Sequence, residues 1–505
     1  MADSVYSYHT FLFPFIFRSE KGITEFDACL VKGEQGWKEE KWKQGKERES
    51  SEGSENPIVF YNKWQYFQDS ARNVIFGIDK NVSRNYRWQK ENLEFFIQKD
   101  DKRKDPWKLR VNAIRLKLFN TNVGIIIFEL ENFDHRTMDD VLKINEYGRR
   151  VYFPYITTKW GSDSEFDCGL TADGIKLDTF ECSYSNKLKE WAQKSPEVYF
   201  ISPIITELLG NKITFNNTSY WLPPNDSDHE DKLICEPVSD DRMFTCCLVL
   251  DKDREFLKQI GTWNTETKRY AWEDEVLEKP YNDKALSRLY DFMFIDGDGL
   301  SCIGREKRLE LIKEHLDTRW MEYIPEEALK AQESVSRTPY GTFFAATDHS
   351  MVSVANWDGE IPAFLTMRIE MAILALAQRT SIIALGRKAG KVSQSFNANG
   401  RIKGKEIREI AKLQERYVAF LNQLFLFEVT VQEQGIDNYR LLRKSLHIDI
   451  EIEQLERQLR NLYNIANVNS NDRLNAKLLF LTIIGSIASL GGIWDLICKV
   501  INLFK

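Results

Sequence analysis

The sequence predicts an α/β N-terminal cytosolic body, a long-helix stalk behind it and one C-terminal transmembrane helix. Three observations carry that reading. A strand pair is legible at 108–131, unbroken helical periodicity begins near Asn356–Pro362, and residues 478–494 form a run without charge. At 505 residues, two or three domains are expected. The predicted divisions are an α/β body at 1–356, a helical stalk bundle at 357–470 and a membrane segment at 471–505.

The first residues, MADSVYSYHTFLFPFIF, lack a basic n-region and a small-residue cleavage site, so a signal peptide is not expected. Their alternation of aromatic and small residues reads as a strand, and the body is expected in the cytosol. Residues 33–56 are charged and poor in aliphatics, which predicts an exposed insertion. At 108–119, KLRVNAIRLKLF alternates apolar and polar. A turn at Asn120-Thr121-Asn122 leads to VGIIIFELEN, almost wholly apolar, as an inner strand is. Thr137 then caps a helix, MDDVLKINEYGRR, with acidic residues in its first turn. WLPPNDSDHED at 221–231 reads as a second long loop.

Three long helical segments are predicted at 363–395, 402–434 and 436–467, with NANG at 397–400 and Gly435 as stops. The first is long enough for a membrane. However, Arg368, Glu370 and Arg379 lie within it, at roughly 2.5–3.5 kcal/mol each at a bilayer centre, so a buried bundle helix is expected. In the third, Leu441, Ser445, Ile448, Ile452, Leu455, Leu459, Leu462 and Ala466 form a heptad seam. That seam packs on the preceding helices, meets neighbouring subunits, or does both.

From Leu478 to Trp494 the chain reads LLFLTIIGSIASLGGIW before Asp495 interrupts it. About 20 helical residues cross ~30 Å of hydrocarbon, so 478–498 is just sufficient for a single pass; the other readings are a helix lying in the interface and a C-terminal helix buried in a soluble core. Thr482, Ser486 and Ser489 share one helix face. In an oligomer that face would line a water path, whereas in a lone span the small residues are merely tolerated.

Net charge is −7 and argues against wholesale nucleic-acid binding. The eight cysteines show no metal-ligand spacing and fit buried thiols in a reducing compartment. No P-loop, GxGxxG, GxSxG or HExxH is present, and the six histidines are dispersed, so neither enzyme activity, metal nor cofactor is expected. Asp296 and Asp298, and the run Thr347-Asp348-His349, read as turns more readily than as sites. Arg149 and Arg150 follow the helix that Thr137 caps. They either complement its dipole or clamp a phosphate bidentately, which makes them the candidate ligand-binding residues.

The C-terminal arrangement resembles the CorA family of divalent-cation channels over roughly 362–494. The specific stretch is NDRLNAKLLFLTIIGSI at 471–487, with a polar collar containing Asn475 leading into an LTII membrane entry. The family's Gly-Met-Asn signature is missing, with GGIWD at 491–495 near its place, and so is its second span. Magnesium selectivity is therefore not carried over. HTFLFPF at 9–15 and INEYGRRVYFPY at 144–155 look like the divergent CorA-like effectors associated with type III CRISPR defence. That resemblance implies a homo-oligomer, a pentamer by family. It implies an inner-membrane location, gating by an AMP conjugate of S-adenosylmethionine, and a pore lined by Asn475, Thr482, Ser486 and Ser489. The other readings of the sequence are a membrane-tethered enzyme with an unrecognised site, a divalent-cation transporter, and a scaffold without gating.

Overall fold

A computed structural model describes residues 4–33, 36–40, 64–99, 106–150, 172–177, 180–183, 203–215, 232–238, 242–252, 263–264, 269–270, 283–295, 304–317, 342–355, 357–394 and 404–467. The chain forms two compact units: Met1–Ser381 with Phe420–Asp449, and Ile382–Ala419 with Ile450–Lys505.

The first unit is built on a fourteen-stranded mixed sheet. Its strands, in chain order, begin with β1 (Ser7–Phe17), β2 (Trp37–Glu39), β3 (Ser83–Trp88), β4 (Glu94–Lys99), β5 (Trp107–Phe119), β6 (Val123–Asn132), β7 (Ala172–Leu177) and β8 (Phe180–Ser183). They continue with β9 (Ile213–Phe215), β10 (Leu233–Pro237) and β11 (Phe244–Leu250). A separate pair, β12 (Trp263–Asn264) and β13 (Arg269–Tyr270), follows, and β14 (Leu316–Asp317), β15 (Thr342–Ala346) and β16 (Ser350–Ala355) return to the sheet. The main path runs β14-β15-β16-β11-β1-β6-β5-β4-β7-β8. Neighbours are antiparallel except β11 with β16 and β9 with β10.

β5 and β6 are the predicted hairpin, and Asn122 in its turn takes φ 65°, which asparagine tolerates. β6 lies between β1 and β5 and is buried along its whole length, as its apolar run requires. One face of the sheet carries Phe11, Phe13, Phe95, Ile97, Leu116 and Phe128 into the main core. The Met138–Gly148 helix packs there, capped by Thr137, whose Oγ1 accepts the Asp140 N–H at 3.1 Å. A Cβ on Gly148 would stand 2.7 Å from the Phe11 ring, so glycine lets the helix end sit on β1.

The opposite face bears Arg115 and Lys117, and it is covered by the first part of the Glu360–Gln394 helix. This helix is long and apolar enough to cross a membrane, by length and composition, yet 83% of its most apolar window is buried inside the protein. Its charges are paired. Glu370 binds Arg115 at 2.7 Å and also Lys117, and Arg368 binds Glu360 at 2.7 Å. Those pairs, with Ser381 hydrogen-bonded to Thr121 at 2.7 Å, hold 360–381 against the sheet. Residues 360–381 therefore group with the sheet, and so do 420–449.

Four further expectations are corrected. The insertion at 33–56 is only partly exposed where it is described: Gly33, Lys38 and Glu40 are exposed, but Trp37 is buried in β2, donates its Nε1–H to the Leu208 carbonyl at 2.7 Å and meets Trp88 edge to face. The second long helix stops at Gln423 rather than 434. Beyond it, residues 429–431 pair with the chain at 66–68, through Gln68 N–H to Val429 O (2.9 Å) and Val431 N–H to Tyr66 O (3.1 Å). Gly435 is not a stop but lies in the Glu433–Ser445 helix, where a Cβ would meet Thr430 at 2.8 Å. The third segment breaks at Leu446-His447, with His447 at φ 54°, and resumes over 448–467. Along the predicted seam, Ser445, Ile448, Leu455, Leu459, Leu462 and Ala466 are buried, while Leu441 and Ile452 are partly so.

Candidate functional site

The residues of interest meet at one end of β11. Arg149 and Arg150 emerge from the last turn of the Met138–Gly148 helix, and Glu146 stands three and four residues before them, the spacing that puts side chains on one helix face. All three are buried. Arg149 Nη2 donates to Glu146 Oε2 at 2.8 Å and to the Ile295 carbonyl at 2.8 Å, and Arg150 Nη2 donates to Glu146 Oε1. The Arg149 carbonyl accepts the Met243 N–H at 2.7 Å, and Arg150 bridges to Arg242, which is partly exposed. Two residues along the same strand, Thr245 N–H donates to the His349 carbonyl at 3.1 Å. Segments 146–150, 242–245, 295 and 347–350 thus converge.

Arg149 is only 1% exposed, and its Nε and Nη1 have no hydrogen-bond partner among the described residues. Burial lowers its pKa, Glu146 opposes that shift, and Arg242 and Arg150 add to it. The buried Thr245 hydroxyl is likewise without a partner among the described residues. A buried N–H left without an acceptor costs about 1–3 kcal/mol. Nε and Nη1 face different edges of the guanidinium, because Nη2 is the nitrogen beside the Nε–H, so each can take its own acceptor oxygen from a phosphate- or carboxylate-bearing ligand.

Beside this cluster runs a neutral polar chain. Asn132 Nδ2 donates to Ser7 Oγ (2.9 Å), Ser7 meets His9 Nε2 (2.9 Å), and His9 Nδ1 meets Asn145 Oδ1 (2.7 Å). With the Ser7 hydroxyl proton on Nε2, Nδ1 is the ring donor. His9 is fully buried, and burial pushes its pKa down to about 4, against the hydrogen bond it donates to Asn145 Oδ1. Cys247, 3.8 Å from His9 Nδ1, is pushed by burial up to about 12. Both groups are therefore neutral at physiological pH, and neither is an activated nucleophile or base.

Arg149 and Arg150 are brought together by the fold. The turn at Thr347-Asp348-His349 is an ordinary hydroxyl-closed turn, Thr347 Oγ1 accepting from the N–H groups of His349 (3.2 Å) and Ser350 (3.1 Å). Asp296, Asp298 and the predicted pore residues Asn475, Thr482, Ser486 and Ser489 lie outside the described residues, as do NANG at 397–400 and the loop at 221–231. The sequence reading missed three residues. Glu146 was legible from its spacing to the arginines, whereas Arg242 and Thr245 carried no local signal and arrive through strand pairing. Among the described residues, no group of three or more His, Cys, Asp or Glu side chains is placed to hold a metal ion. Compared with known proteins, the chain matches no family model, no curated protein and no solved structure.

Proposed function

We propose that the protein is a membrane-anchored, homo-oligomeric effector resembling the CorA-like proteins of type III CRISPR defence. In this reading the α/β body binds a nucleotide-derived second messenger of the S-adenosylmethionine–AMP type. The stalk relays binding to one span at 478–498 of the inner membrane, with the bulk of the chain cytoplasmic. The membrane is permeabilised along a path lined by Asn475, Thr482, Ser486 and Ser489.

The observation that carries the ligand half of this reading is Arg149: a buried guanidinium with Nε and Nη1 unpartnered among the described residues, beside Arg150. Complementing a helix dipole needs a cation near the last carbonyls but leaves no reason to bury two of its donors. An anionic ligand supplies an acceptor for such a donor, and the phosphate oxygens of a nucleotide conjugate offer several. The anchor half rests on the sequence of 478–494.

The test is a melting curve of the detergent-solubilised protein with the adenylated messenger in excess, since a ligand of the native state raises Tm. The rise is expected for the wild type and absent for Arg149→Ala with Arg150→Ala. A full rise in the double variant removes the arginines from the site. Turnover of the messenger by the protein would instead favour a membrane-tethered enzyme.

A further inference from the structure

We infer that the basic tip of the helical hairpin in the second unit rests on the anionic headgroup surface of the membrane that anchors the chain, an inference that depends on the anchor reading above. Over its described residues, 382–394 and 404–419, the hairpin carries seven Lys or Arg against three Glu, in a chain whose net charge is −7. Lys391, Lys405, Arg408 and Lys412 are exposed. Lys412 forms an exposed ion pair with Glu409 at 3.4 Å, worth little in water. Lys388 is more deeply set, and burial together with Arg416 and Lys391 lowers its pKa to about 8, a sign of how closely the cations crowd. Helix stability does not explain the pattern. Lys405 and Arg408 stand in the opening turns of the Gly404–Gln423 helix, where the positive end of the macrodipole disfavours cations by about 0.3–1 kcal/mol each.

The direction of the tip follows from contacts inside the unit. Ile407, Ile410 and Ala411 line a groove of about 630 Å³ together with Tyr463, Ala466 and Asn467. Tyr417 lies instead within the field of Glu456 and Arg460. The two helices are therefore antiparallel, and the 404 end lies beside residue 467. Ten residues separate Asn467 from Leu478, where the uncharged run begins. Even fully extended they span at most ~35 Å. The basic tip is thus the part of the unit tethered nearest to the bilayer. A surface potential of about −30 mV attracts such residues by about 1 kcal/mol each. Nucleic acid is the rival polyanion, but nothing in its chemistry would place the cations beside the anchor.

The experiment uses the full-length protein in nanodiscs of neutral phosphatidylcholine or of anionic phosphatidylglycerol mixtures. Lysine acetylation rates are read by mass spectrometry, with Lys80 and Lys108 of the first unit as references. We expect Lys391, Lys405 and Lys412 to react about threefold or more slowly in anionic discs, the proton enrichment that a surface near −30 mV produces, and high salt to abolish the difference. Equal rates in the two lipids, for protein that co-elutes with both kinds of disc, overturn the headgroup contact and leave the anchor standing. Protein that co-elutes with neither overturns the anchor, and the contact with it. Protection by single-stranded RNA in neutral discs, without protection by anionic lipid, overturns the proposal in favour of nucleic acid.

Discussion

Glu370, in the middle of the most apolar helix described, accepts a 2.7 Å hydrogen bond from Arg115 of the sheet, and both side chains are largely sealed from water. Lys117 binds the other Glu370 oxygen, and Glu129 closes the network on Arg115. Burial alone would raise the Glu370 pKa, but Lys117 and Arg115 outweigh it and hold it at about 2.

The first prediction follows from that network. Glu370→Gln keeps the shape but leaves Arg115 with Glu129 and strips Lys117 of its carboxylate partner, with the Ile75 carbonyl still accepting from it. Breaking a buried pair from one side costs about 3–5 kcal/mol. A denaturant midpoint unchanged by this variant would show that the pair is not sealed. Replacing Arg115, Lys117 and Glu370 together by Met, Met and Leu should recover most of the loss, because no charge is then left buried.

His9 sets a pH dependence. Its folded pKa of about 4 lies below the ordinary 6.5, so the folded chain holds the ring neutral while the unfolded chain protonates first. This contribution is complete above pH 6.5 and is lost as pH falls from 6.5 toward 4. The loss runs at about 1.4 kcal/mol per pH unit, near 3 kcal/mol in all. Carboxylates titrate in the lower part of this window, so the measurement is a comparison. Unfolding free energy should fall more steeply with acid in the wild type than in His9→Gln. Parallel curves would mean that His9 is hydrated in the fold.

The seam of the 448–467 helix gives a third test. Leu455 and Leu459 are 3% and 8% exposed. Leu455→Ala is expected to cost about 2–5 kcal/mol, by lost transfer energy and a residual cavity. Leu455→Glu with Leu459→Glu places two unpaired charges where leucines were buried and should unfold the second unit or dissolve the oligomer. Normal folding and an unchanged mass in detergent would show that these positions tolerate water.

The pore is tested separately from the anchor. Truncation before Asn471 should release the protein into the soluble fraction, and full-length protein soluble without detergent would remove the membrane claim. With the anchor intact, Ser486→Leu plus Ser489→Leu should block ligand-triggered flux from liposomes while insertion and assembly persist. Cysteines placed at the same two positions should react with water-soluble thiol reagents in the activated state. Undiminished flux together with unreactive cysteines would put this face against lipid or protein.

By itself the sequence determined what local chemistry dictates. The alternation in β5, the apolar run of β6, the turn at Asn122 and the Thr137 cap are each written within a few residues, because backbone propensity and burial period act at that range. The charges in the Glu360–Gln394 helix also told correctly of a buried rather than a lipid-facing helix in this fold. Tertiary structure alone decided where those charges go: Glu370 meets residues more than 250 positions away, and that pairing carries 360–381 into the sheet unit. The same holds for the end of the second helix. Residues 424–432 have helical composition, yet the segment at 66–68 takes the backbone groups of Val429 and Val431 as partners. At the candidate site, the Glu146 to Arg149 spacing was open to reading, while Arg242 and Thr245 arrive only through the register of β11. Hydrogen bonding between strands carries no trace in the sequence near either partner, so such a cluster becomes visible only once the sheet is assembled.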